Sequence, residues 1–231
     1  MTFKRIKKAV FVAFPHTLPV LMGFGCLGIT YGILLNEQGY NALWAFLFSA
    51  LCLCGSMQFI SLTLLTLPFD PISAFLMSLL VNARHIFYGL SMLEKYQMLG
   101  KVKIPLIFGM CDETFSILSS IEVPYNIPKQ DFYLAVSALN YSYWVIASVV
   151  GGLIGSALTF DLSGLDFVLT ALIFVLFLEK WREKANRRYA MIGVVITFIC
   201  LLIFGTTHFL LPAMIILLVI LYAMERGNVD A

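Results

Sequence analysis

Asp112 and Glu113 stand side by side within an otherwise apolar stretch from Ile104 to Ile121. If that stretch is one helix, the pair lies about 12 Å from its start. A charged residue at such a depth in a bilayer costs about 2.5 to 3.5 kcal/mol on insertion scales, so two in succession need a reason. One reason is chemistry, because a carboxylate held in a membrane interior can bind a cation or carry a proton. The other is a loop after a shorter helix, with Gly109 as the break.

Arg84 and His85, with Asn82 and Tyr88, form a second cluster in the run from Ile72 to Leu93. Arg84 is about 18 Å from the start of that run, inside a hydrocarbon core of about 30 Å. Snorkelling toward an interface is the competing account. If Arg84 or His85 faces Asp112 or Glu113 across two packed helices, the insertion cost of all of them falls. His85 adds the one side chain whose ordinary titration lies near neutrality.

The third cluster is Cys54-Gly55-Ser56-Met57-Gln58-Phe59, a small and polar interruption of an apolar run. Gly55 and Ser56 can unwind a helix, leaving backbone groups or Gln58 to line a cavity, or they can simply pack two helices closely. A fourth group, Ser137, Asn140, Tyr141, Ser142, Tyr143 and Trp144, mixes hydrogen-bonding groups with rings. Asn140 and Tyr141 are its candidates for a binding site, with interhelical polar contacts as the alternative. His208 follows Gly205-Thr206-Thr207 and reads as a loop residue.

The elements that must position these groups follow from composition. Of the 231 residues 61% are hydrophobic and only 12% charged, and mean hydropathy is +0.93, whereas a soluble domain is about a quarter charged. No Asp, Glu, Lys or Arg occurs in 9–36, 38–69, 132–160 or 189–224. Such runs exceed the roughly 20 apolar residues that a bilayer-crossing helix needs, and the alternation of a barrel strand is missing. The chain therefore reads as an all-α polytopic membrane bundle and not as a soluble domain.

Apolar segments fall at Val10–Leu35, Ala42–Leu67, Ile72–Leu93, Ile104–Ile121, Phe132–Leu158, Leu165–Leu178, Tyr189–Phe204 and His208–Met224, giving about seven or eight. They make a single membrane-embedded domain over 1–231. Pro15 and Pro19, followed by Gly23, Gly25, Gly28 and Gly32, predict a kinked first span packed closely on a neighbour. That first pair of segments is echoed by Gly151, Gly152 and Gly155 followed by Phe167–Phe177; duplicated halves and chance likeness both account for the echo.

Basic residues set orientation. Lys4, Arg5, Lys7 and Lys8, and the later loop with Lys180, Arg182, Lys184, Arg187 and Arg188, both read as cytoplasmic. The loop with Lys95, Lys101 and Lys103 conflicts, since three crossings before it would place it outside. A broken or re-entrant element among the first three segments, followed by a second irregularity, removes the conflict. The N-terminal run lacks a signal-peptide cleavage site and reads as an uncleaved first span in the plasma (inner) membrane.

Other functions find little support in the residues. The net charge of +2 sits in short clusters beside apolar segments, which excludes a nucleic-acid interface. Cys26, Cys52, Cys54, Cys111 and Cys200 match neither a zinc site nor a redox pair and read as packing residues. No metal or other cofactor is expected. No His-Glu-x-x-His pair occurs and Ser56 has no recognisable base nearby, so no enzyme is expected either. The bilayer itself is the expected surroundings.

A hydrophobic amino acid needs a carboxylate for its ammonium, a cation or helix N-terminus for its carboxylate, and an apolar pocket for its side chain. Asp112 or Glu113, Arg84 and the surrounding Phe, Met and Leu residues supply such a set, and an anion, a polyamine or a proton path could use much of it.

At these clusters the sequence resembles the AzlC family. Gly55-Ser56-Met57-Gln58-Phe59 is similar to that family's G-A-S-Q-F element, with Met57 in place of a small residue. Asn82-Ala83-Arg84-His85-Ile86-Phe87-Tyr88-Gly89 is similar to D-x-R-H-x-x-Y-G, with Asn82 where an acidic residue can occur, and Gly109-Met110-Cys111-Asp112-Glu113-Thr114-Phe115 to G-x-x-D-E-x-F. The resemblance implies a secondary transporter exporting branched-chain amino acids or analogues, with a small AzlD-type membrane partner. Its three motifs carry Gly55, Ser56, Gln58 and Arg84 as expected substrate residues, to which the fourth group adds Asn140 and Tyr141, and His85, Asp112 and Glu113 as the expected proton-coupling ones. An ion channel and a non-catalytic assembly subunit are the alternatives.

Overall fold

The computed structural model describes residues 3–66, 70–97, 99–125, 127–157, 174, 177–178, 181, 184–209, 212–213, 215–217, 219–220 and 224. It divides into two compact units, 1–162 and 163–231. Every regular element among the described residues is helical. The segment expected at Leu165–Leu178 lies largely outside the described residues, and that at His208–Met224 lies partly outside them.

The first unit is organised by two long helices, α1 (Phe3–Glu37) and α8 (Lys129–Ala157). Between them come α2 (Ala42–Leu51), α3 (Gly55–Thr66), α4 (Pro71–Asn82), α5 (Arg84–Gln97), α6 (Lys103–Phe108) and α7 (Asp112–Ser120). The helix ends follow local chemistry. Gly39 takes a left-handed φ of 86° just past α1, as a helix-terminating glycine does. Asn41 caps α2, its Oδ1 accepting from the amides of Leu43 and Trp44 at 3.2 and 3.4 Å.

α1 and α8 run parallel and meet backbone to backbone. A Cβ on Gly28 would stand 2.6 Å from the Cβ of Ala147, one on Gly155 would stand 2.8 Å from the Cβ of Asn36, and one on Gly32 would overlap the carbonyl of Ser148. Small residues that let helices approach replace the hydrophobic driving force that lipid removes. The glycines of the internal echo are thus packed against one another, while Phe167–Phe177 lies mostly outside the described residues.

At one end of this unit Arg5 of α1 lies 3.0 Å from Asp131 in the first turn of α8. Tyr96 near the end of α5 meets Tyr133 of α8 at the same end, with ring centroids 6.1 Å apart. Lys95 donates to the carbonyls of Leu118 and Ser119 at the end of α7, at 2.8 and 3.1 Å. The N-terminus of α1, the loop with Lys95, Lys101 and Lys103, and the start of α8 therefore share one end. α6 leaves that end and α7 returns to it, so the two form a hairpin.

α2 and α3 make the opposite excursion. α2 enters beside Gly152 of α8 at Ala42 and reaches Tyr141 at Ala50. After the break, Phe59 of α3 packs on Tyr31 of α1, at 5.6 Å between rings, on the Glu37 side of Trp144. Two of the apolar segments, Ala42–Leu67 and Ile104–Ile121, are thus each divided into two shorter helices.

In the second unit α9 (Lys184–His208) is interrupted by Gly205, whose φ is 71°. His208 therefore lies beyond this interruption. Arg187 lies over the Trp181 ring, 5.7 Å from its centroid.

Across both units, four described helical stretches are long and apolar enough to cross a bilayer: Arg5–Glu37, Lys129–Ala157, Arg187–Gly205 and, with α4 and α5 taken together, Ala74–Gln97.

Candidate functional site

Three helices begin where three breaks meet. Cys52-Leu53-Cys54 separates α2 from α3, Ala83 separates α4 from α5, and Gly109-Met110-Cys111 separates α6 from α7. Helix breaks at depth are tolerated only where protein or a cavity satisfies the freed backbone. Here Tyr141 does part of that, its hydroxyl donating to the carbonyl of Ala50 at 3.0 Å near the end of α2. Gly55 opens α3 because a larger residue would press on Trp144, whose Cη2 would be 3.0 Å from its Cβ.

Asp112 and Glu113 are the first two residues of α7, not the middle of a continuous helix, and negative charge is favoured there. Gly109 caps the C-terminal end of α6, so the break that the alternative reading placed at that glycine is present. Arg84 opens α5 and bridges the other two helices: Nη1 donates to Asp112 Oδ2, and Nη2 donates to Ser56 Oγ at 2.6 Å. The three helix starts are thus tied together by one guanidinium. The Arg84 and Asp112 side chains are 39% and 38% exposed, so the pair is open to exchange rather than sealed. Arg84 Nε and Asp112 Oδ1 are buried without a hydrogen-bond partner.

Around this pair the polar residues are interlocked. Asn82 accepts from the Cys54 thiol at 2.7 Å and donates to Ser78 Oγ at 3.4 Å. His85 Nδ1 is 3.2 Å from the Asn82 carbonyl, and its ring meets Tyr88 edge-on, while Tyr88 stacks on Phe115 at 4.5 Å. Asn140 is fully buried and donates to Thr114 Oγ1 at 3.0 Å; Thr114 in turn lies 3.1 Å from Cys111 Sγ. Trp144 donates to Gln58 Oε1 at 2.6 Å.

A cavity of about 480 Å³ opens against the breaks, walled by apolar Phe48, Met57 and Phe108 and by polar Cys54, Gln58, Asn82 and His85. Arg84 lies between two of these wall residues in sequence but is not itself part of the wall, nor are Asp112 and Glu113. Of the expected site residues, Gln58 and His85 line the cavity, while Ser56, Arg84 and Asp112 form the ion-pair chain beside it. Asn140 and Tyr141 serve contacts between helices in this structure, and Glu113 follows Asp112 in the first turn of α7. A second cavity of about 520 Å³ shares the wall residues His85, Ile107 and Met110 and runs along α5 to Tyr96 and Lys103.

Several contacts were not legible from spacing. All five cysteines are free, yet Cys54 is no mere packing residue, since its thiol holds Asn82. The Arg5–Asp131 pair joins residues 126 positions apart that individually look like ordinary helix-end charges. Among the described residues no group of three or more His, Cys, Asp or Glu could hold a metal.

Helices of spanning length, breaks that meet in the interior of the first unit and a charged junction at those breaks define a multi-pass α-helical membrane protein with a built polar site. The family described as AzlC protein matches residues 19–158. The chain belongs to the AzlC family. It is 42% identical over 214 residues to the branched-chain amino acid transport protein AzlC of Bacillus subtilis (strain 168), covering 93% of this chain and 84% of that protein. It is 40% identical over 220 residues to an uncharacterized membrane protein of Helicobacter pylori (strain ATCC 700392 / 26695), covering 95% of this chain and 96% of the relative. The inner membrane protein YgaZ of Escherichia coli (strain K12) is 25% identical over 177 residues, 74% of this chain and 72% of its own. No solved structure matches the chain.

Proposed function

We propose that this protein is a secondary transporter that exports branched-chain or other hydrophobic amino acids, or their analogues, across the plasma membrane in exchange for protons. The observation that carries it is the Ser56–Arg84–Asp112 chain at the start of three helices, beside a cavity of about 480 Å³. That volume lies in the range of roughly 300 to 1,000 Å³ typical of small-molecule sites. The name of the Bacillus relative supplies the substrate class.

Arg84 and Asp112 pair with each other and leave Arg84 Nε and Asp112 Oδ1 without a partner. A zwitterion can enter between them, its carboxylate taking Arg84 and its ammonium taking Asp112, while Phe48, Met57 and Phe108 receive the side chain. A proton on Asp112 removes the charge that holds the ammonium. Proton and substrate therefore compete for one carboxylate, which is the requirement for exchanging one against the other. Glu113 and His85 stand next to this carboxylate and the cavity, as relays for the proton. Asn140 and Tyr141 complete the substrate side by fixing α7 and the end of α2, and Gly55 does so by letting α3 start against Trp144.

In this reading the α2–α3 and α6–α7 hairpins are re-entrant and enter from opposite sides, and α1, α4–α5 and α8 are crossings. The N-terminal basic cluster and the Lys95–Lys103 loop then share the cytoplasmic face, as the charge rule requires. Opposed hairpins also fit two halves inserted in opposite senses. The whole chain acts as a single transporter domain. A small AzlD-type subunit is assigned from the family resemblance.

The test is efflux of labelled leucine, valine and methionine from loaded cells carrying the chain with and without such a subunit. Asp112→Asn abolishes proton-driven efflux, and Glu113→Gln slows it. Normal transport by both variants sinks the coupling mechanism.

A further inference from the structure

Gln58 is 3% exposed, lines the cavity, and leaves its amide nitrogen without a partner. The orientation of that amide is not arbitrary. The Trp144 indole N–H can only donate, so the atom 2.6 Å from it must be the Gln58 oxygen. The nitrogen then carries two N–H groups and none of them is used. A buried amide left this way costs free energy that a ligand acceptor recovers.

Trp144 is itself held in place. Its ring meets Phe24 edge-on at 5.2 Å, stacks on Tyr31 at 6.3 Å, and is abutted by the α3 start at Gly55. Gln58 sits in the first turn of α3, whose leading amides have no intrahelical acceptor and whose positive end favours an anion. The first α3 backbone bond is the one from Gln58 N to Cys54 O, at 2.9 Å. Ser56, two residues earlier, already holds Arg84.

We infer that Gln58 is a carboxylate-reading residue, that the substrate carboxylate is seated at the N-terminus of α3 between the Gln58 amide and Arg84, and that Trp144 is the positioning residue that locks the amide in its donating orientation. The inference deepens the transporter reading and rests on it. It states that the site selects for a carboxylate as well as for an apolar side chain. It also makes an aromatic residue that never touches the substrate a determinant of that selection.

Proteoliposomes carrying the full chain, with its small subunit where exchange needs one, are assayed for labelled leucine exchange, with leucinamide as competitor because it lacks the carboxylate. Gln58→Leu raises KM for leucine about tenfold, the usual loss for one hydrogen bond to a charged group, and leaves the maximal rate within about twofold. Trp144→Phe, which keeps most of the ring packing, raises KM in the same way. The double variant is no worse than Gln58→Leu alone, and the preference for leucine over leucinamide narrows about tenfold in all three. Additive losses, or an unchanged preference, overturn the inference, since a merely structural tryptophan would lower the rate for both ligands alike.

If the unaltered chain shows no leucine exchange, the transporter reading fails and the seat is tested without it. Trp144 emission in a Trp44→Phe, Trp181→Phe protein is titrated with 4-methylpentanoate. A saturable change that Gln58→Leu removes supports the carboxylate seat, and no saturable change overturns it.

Discussion

Replacing Gly32 by alanine adds one methyl group where two backbones already touch. The new Cβ would overlap the Ser148 carbonyl and lie 2.8 Å from the carbonyl carbon of Gly151, against an ordinary contact of 3.4–4 Å. These are backbone atoms in the middle of α8, so no side chain can swing aside, and α1 and α8 must part by at least about 0.6 Å along the crossing. Overpacking of this kind costs about 1–3 kcal/mol, set against a gain of about 1 kcal/mol from alanine's better helix propensity. Gly23→Ala is the internal control, because nothing lies within 4 Å of its Cβ and it collects the propensity gain alone. The measured quantity is the temperature at which half the detergent-solubilised protein stays monodisperse by size-exclusion chromatography. Gly32→Ala falls by several degrees while Gly23→Ala is unchanged or higher. If the two variants melt together, the close crossing that positions Trp144 and the helix breaks is wrong.

Two further outcomes probe the site's supports. Lys95→Met removes the cation from the last carbonyls of α7 and destabilises the protein by about 1 kcal/mol, seen as a lower midpoint in thermal unfolding by circular dichroism. The charge-conserving change Lys95→Arg keeps a cationic donor beside those carbonyls and most of that stability. Cys52 and Cys54 line the cavity, so saturating leucine slows their modification by a small methanethiosulfonate severalfold, read by mass spectrometry, and buried Cys200 stays unmodified throughout. Asn82→Leu frees the Cys54 thiol and speeds its modification; equal rates with and without leucine would count against the cavity as the substrate chamber.

Much of the architecture was legible because a bilayer punishes exceptions. Charge-free stretches longer than a hydrocarbon core could only be helices, and Asp112, Glu113 and Arg84 stood out by their cost. That Arg84 or His85 would face Asp112 or Glu113 was suggested by the same cost, and of those pairings the structure contains Arg84 with Asp112. Direction was harder to read. Hydropathy does not distinguish a crossing helix from a hairpin of two short ones, so the divisions of α2 from α3 and of α6 from α7 were not legible in the apolar runs. Asn140 and Tyr141 were recognisable as polar residues in an apolar helix, but their use in holding Thr114 and Ala50 depends on neighbours far away in the chain.

What the sequence determined alone was the solvent of each segment and the identity of the groups too costly to be accidental, because transfer free energies are properties of single residues and short runs. Tertiary structure decided which of those groups meet. The Trp144 N–H that orients Gln58, the guanidinium shared by Ser56 and Asp112, and the glycine crossing of α1 with α8 all join positions at least 28 residues apart. Hydrogen bonds and steric contact act over a few ångströms in space, and separation along a chain carries no record of that distance.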